Sequence, residues 1–134
     1  MEEVIRMTRE IESGLKKKFV RVLGGLIEDI VGYSPASGLS EKSLINSIET
    51  DSEKINSDIS AGKVDGGTML LIRSNMIASA LIGDIKGTEY WAEMGAKYCG
   101  QVEGGGWNQT RDEFELVMNN PEEFSELSRI IKRI

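Results

Sequence analysis

The chain has no histidine, one cysteine, two prolines and no apolar run long enough to span a bilayer. Without histidine, Ser-His, Cys-His and imidazole acid–base schemes lack their base. The usual zinc sites lose most of their ligands for the same reason. Cys99 stands alone, so no internal disulfide can form. Positive charge is also scarce: 16 Lys and Arg face 22 Asp and Glu, a net charge of −6. Nonspecific nucleic-acid binding needs a basic surface, so no nucleic-acid partner is expected.

Other absences narrow the reading further. Gly62-Lys63 is followed by Val64, and Ser57 stands where a phosphate loop needs its first glycine. Gly104, Gly105 and Gly106 lack the strand–turn–helix setting of a dinucleotide fingerprint and read as surface loop. No cofactor and no metal are expected. The N-terminus, MEEVIRMTREIE, is charged and amphipathic, unlike the apolar core of a secretory signal. With a lone thiol, this predicts a cytoplasmic protein with no membrane partner.

What is present suits a single folded domain over residues 1–134, with 40% hydrophobic and 28% charged residues. Val4, Met7, Ile11, Leu15, Phe19 and Val22 recur at helical steps, and Gly24-Gly25 marks a break before a second short run at Leu26, Ile27, Ile30 and Val31. Gly32 to Gly38 is a connector. Ser40 then opens a helix carrying Leu44, Ile48, Ile55 and Ile59 on one face, closed by Gly62.

Residues 68–82 carry two readings. Thr68–Ile72 and Met76–Ile82 form a hairpin around Arg73, Ser74 and Asn75, or the whole stretch is one buried helix rich in Met, Leu and Ala. Alternation of Phe114, Leu116 and Met118 with polar neighbours predicts a strand at 113–118. Thr88 is read as the N-cap of a helix over 88–99, and Asn120-Pro121 as the start of a helix over 121–134. The expected class is therefore α+β: two N-terminal helical segments, a small antiparallel sheet and two further helices. An all-α bundle is the alternative.

Four of the eight aromatics, Tyr90, Trp91, Tyr98 and Trp107, fall close together and form the candidate ligand-binding set. Trp107 follows three glycines, which suits either a plug over the core or a lid on a ligand. Cys99 is read as a structural thiol, because Lys97, two residues away on a helix, points elsewhere. Glu89 and Glu93 share a helix face, with Asp84 within reach.

The leading functional expectation is a non-catalytic binding or regulatory module acting through protein contacts, with a small apolar ligand as a further option. A carboxylate-based enzyme using Glu89 and Glu93 is the alternative, and no catalytic residue is assigned. A nucleic-acid adaptor through Lys16–Arg21 is disfavoured by the overall charge. The long N-terminal stripe predicts a homodimer with Val4, Ile11, Leu15 and Phe19 in the contact. The Lys16, Lys17, Lys18 and Arg21 cluster opposes residues 84–126, where ten acidic residues face Lys86, Lys97 and Arg111. Such opposite poles can attract each other between subunits.

Overall fold

The structure is a computed structural model, and it describes residues 2, 3, 5, 6, 40–102 and 107–132. Glu2, Glu3, Ile5 and Arg6 are helical and exposed. The whole N-terminal stripe Val4, Met7, Ile11, Leu15, Phe19 and Val22, and with it the expected dimer contact, the basic cluster Lys16–Arg21, the second apolar run and the glycines at 104–106 lie outside the described residues.

Among the described residues from Ser40 onward, every regular element is helical. We number them α1 (Glu41–Ser60), α2 (Gly66–Leu81), α3 (Ile85–Tyr98), α4 (Trp107–Asn119) and α5 (Pro121–Lys132), with a 3-10 turn at Cys99–Gln101 after α3. The α+β expectation is thus overturned in favour of the all-helical alternative.

α1 begins as its sequence requires. The Ser40 hydroxyl accepts from the Ser43 amide, and Gly62 takes the left-handed φ of +68° just beyond the helix. The Asp65 carboxylate accepts from the Thr68 amide, while Thr68 Oγ1 accepts from the Asp65 amide. This reciprocal capping box starts α2 and satisfies the Asp65 and Thr68 amides.

The expected hairpin at 68–82 is instead the body of α2. Its supposed turn residues are consumed by tertiary contacts. Arg73 Nε donates to Glu113 Oε2 at 2.9 Å, and Asn75 is 1% exposed, facing the backbone of α1. α2 packs against α1, α3 and α5 and is buried without a break from Asn75 to Leu81. A helix covered on nearly all sides has no polar face, so its helical period disappears from the sequence.

The expected strand at 113–118 lies within α4. Phe114 and Val117 are fully buried, and Leu116, on another side of the same helix, is 3% exposed. Burial on two sides of a helix produced the alternation that resembled a strand. The start of α3 also moves. Asp84, not Thr88, is the N-cap, accepting from the Gly87 amide at 2.9 Å. Thr88 is buried in the first turn, and its hydroxyl donates to the Asp84 carbonyl at 2.7 Å.

α5 starts at Pro121, as its sequence indicates. The Asn120 side chain reaches backwards, its amide donating to the Leu116 carbonyl at 3.0 Å near the end of α4. Buried Ser125 donates to the Ala80 carbonyl at 2.8 Å, which joins α5 to the end of α2. The core is one cluster that includes Met69, Ile72, Met76, Trp91, Phe114 and Leu127.

Candidate functional site

α3 divides sharply into two faces. Thr88, Trp91, Ala92, Gly95 and Cys99 follow helical spacing and are buried. This face abuts α2 and α4, and the Phe114 ring fills the space that a side chain at Gly95 would need. Close contact between α3 and α4 therefore depends on glycine at position 95.

The other face carries Tyr90, Glu93, Met94, Lys97 and Tyr98, again at helical spacing, and these residues line an open surface cleft of about 310 Å³. Tyr90 is 51% exposed, Glu93 and Lys97 are exposed, and Met94 and Tyr98 are half-buried. The Tyr90 ring meets the Trp91 ring edge-on, with centroids 4.9 Å apart. The Lys97 ammonium lies 5.2 Å from the centre of the Tyr98 ring.

Of the four aromatics singled out in the sequence, Tyr90 and Tyr98 share this cleft. Trp91 is turned into the core and does not line it. Trp107 is the first residue of α4, and the position of its side chain lies outside what the structure describes. Glu93, Met94 and Lys97 complete the cleft. They could have been found by extending the helical step from Tyr90 and Tyr98, since all five positions lie on one strip of a single helix.

The carboxylate candidates separate. Asp84 caps α3, Glu89 is exposed, and Glu93 lines the cleft. Among the described residues, no group of three or more Cys, Asp or Glu side chains is placed to hold a metal ion. No described helix is long and apolar enough to cross a membrane.

Two polar sites were invisible to sequence reasoning. Cys99, 1% exposed, accepts from Arg111 Nε at 3.4 Å, so a cation does reach the sulfur, from a residue twelve positions on. Asp58, 8% exposed, accepts from Lys54 at 2.6 Å and from the Thr68 hydroxyl at 2.7 Å. The Lys54 hydrogen bond, then that of Thr68, holds the Asp58 carboxyl below its ordinary range despite the opposing effect of burial. Asp65 is lowered too, chiefly by the Thr68 amide.

Comparison with known proteins finds no matching family model, no matching curated protein and no matching solved structure.

Proposed function

We propose that this chain is a non-catalytic protein-contact module whose contact surface is the outer face of α3. One observation carries the reading: a strip of two tyrosines and a methionine, flanked by Glu93 and Lys97, lines an open cleft beside a fully buried face of the same helix. Tyrosine and methionine are enriched in interfaces, because they supply large apolar area with adaptable or polar edges. A strip at helical spacing suits an amphipathic helix laid along it.

The partner we assign is a second copy of the chain, through its N-terminal segment. Val4, Met7, Ile11, Leu15, Phe19 and Val22 supply an apolar stripe in sequence, and Lys16, Lys17, Lys18 and Arg21 accompany it. That positive charge complements the acidic 84–126 region to which α3 belongs. A small apolar ligand is the weaker reading, since such ligands favour enclosed sites and this cleft is open, with two charged walls. Glu89 and Glu93 offer no observation in favour of carboxylate catalysis.

Sedimentation velocity across a micromolar concentration series tests the assignment. The expected result is a monomer–dimer equilibrium that weakens with added salt. Met94→Glu and Leu15→Glu should each shift it at least tenfold towards monomer. A chain that remains monomeric at high micromolar concentration, or a dimer indifferent to Met94→Glu, overturns it.

A further inference from the structure

We infer that α1 is a displaceable arm, able to swing away from α2 as a unit while α2 to α5 stay folded. Three observations converge on this, and none involves the outer face of α3.

The first is connectivity. α2, α3, α4 and α5 hold one another through several mutual contacts, α2 against α3 and α5, and α3 against α4 and α5. Among the described elements, α1 packs extensively against α2 alone. Among the described elements, moving α1 from its seat therefore breaks one extensive helix–helix seam and leaves the others closed.

The second is the chemistry of that seam. On the α1 side, only Leu44 and Ile55 are fully buried apolar residues, and Ile48 and Ile59 are half-buried. Between Leu44 and Ile55 the seam combines half-buried Ile48 with polar contacts. Asn75 Nδ2 reaches the Ile48 carbonyl and the Ser52 hydroxyl, each at 3.4 Å, the long limit of a hydrogen bond. The Ile48 carbonyl is already taken by the Ser52 hydroxyl. Asn75 Oδ1 is buried and accepts no hydrogen bond at all. A buried acceptor without a donor is penalised in the closed state and relieved once water reaches it. Asn75 thus lowers the free-energy gap between the closed and open arrangements.

The third is the pivot. α1 and α2 are joined by Ala61–Asp65, in which Ala61, Gly62, Lys63 and Asp65 are exposed. Gly62 has a φ of +68°, and no atom would crowd a side chain placed there. The shortest side-chain hydrogen bond across the seam, from Thr68 to Asp58 at 2.7 Å, lies beside this turn, with Asp58 steadied from within α1 by Lys54. The Thr68–Asp58 bond holds the pivot end, so opening starts at the Ser40–Leu44 end and bares the α2 strip that carries Asn75.

Hydrogen exchange of the intact chain, read by mass spectrometry, tests the arm. Amides of α1 between Leu44 and Ser60 should exchange at least 100-fold faster than those of α3 and of Phe114–Asn119, and should do so below the global unfolding transition. Asn75→Leu removes the orphaned acceptor and should slow α1 exchange severalfold, with the α4 amides unchanged. Exchange of α1 in step with α3 and α4 overturns the inference. So does Asn75→Leu exchange in α1 that is unchanged or faster, which would make Asn75 a lock that fixes α1 in register. If Asn75→Leu does not fold, the wild-type profile decides alone. A failed dimer assay leaves this test untouched, since α1 exchange is read equally in a monomer.

Discussion

The Phe114 ring, fully buried, stands where a Cβ at Gly95 would have to be. This pairing sets how closely α3 approaches α4. Alanine normally favours a helix interior over glycine by about 1 kcal/mol. Here it would force a rigid ring to shift in a packed core, which costs about 1–3 kcal/mol. Gly95→Ala is therefore expected to lose up to about 2 kcal/mol net in urea unfolding, and Phe114→Leu in the same chain should recover part of the loss through coupling. A Gly95→Ala chain more stable than wild type would show that the ring yields freely.

Tyr90 and Trp91 are neighbours with opposite roles. Trp91 is 6% exposed and part of the core, so Trp91→Ala should cost about 3–5 kcal/mol. Tyr90 is 51% exposed and contributes mainly its edge contact with Trp91, so Tyr90→Ala should cost about 1 kcal/mol or less. The measurement is the difference in denaturation midpoint at equal slope. Similar losses for both variants would place Tyr90 in the core and remove it from the contact face.

Asp58 carries a pH dependence of definite sign. Its carboxyl is depressed in the folded state, first by Lys54 and then by Thr68. The stability it contributes is therefore complete above its unfolded value, near 3.8, and is lost as pH falls through the lower folded value. Lys54 has the opposite sign: raised by Asp58, its contribution is present below 10.5 and fades as pH rises through the folded value. Asp58→Asn should lower Tm at neutral pH, and its deficit against wild type should shrink towards about pH 2.5. Asp65, also depressed, leaves part of the acid sensitivity in place. A deficit constant across that range would mean that Asp58 acts through packing instead of charge.

Cys99 is 1% exposed even though Arg111 reaches its sulfur. A guanidinium can support a thiolate, but burial denies a reagent access. Native-state labelling with a thiol reagent should be slow and should follow unfolding. Cys99→Ala should cost about 1 kcal/mol, chiefly in packing. Labelling faster than that of a free thiol, in protein shown to be folded, would identify an accessible thiolate.

The features legible in the sequence were those settled within a turn of chain. Ser40 and Gly62 bracket α1, and Pro121 starts α5, because capping bonds and glycine or proline backbone preferences act over three or four residues. The thin apolar face of α1 was readable as well, since that helix is covered along one line only and keeps its period. The identity of α2 and α4 was decided by tertiary structure. Both are buried on more than one side, which erases or distorts the helical period, and the turn-like Arg73 and Asn75 become helix residues once Glu113 and the α1 backbone receive them. The candidate site divides in the same way. Tyr90 and Tyr98 stood out by composition, but only packing against α2 and α4 turned Trp91 inward and left Glu93, Met94 and Lys97 beside the tyrosines. Thr68 as partner of Asp58, Arg111 as partner of Cys99, and Ser52 and Ile48 as partners of Asn75 lie ten to twenty-seven residues away, at separations that local pattern cannot bridge and that a folded core brings within hydrogen-bond reach.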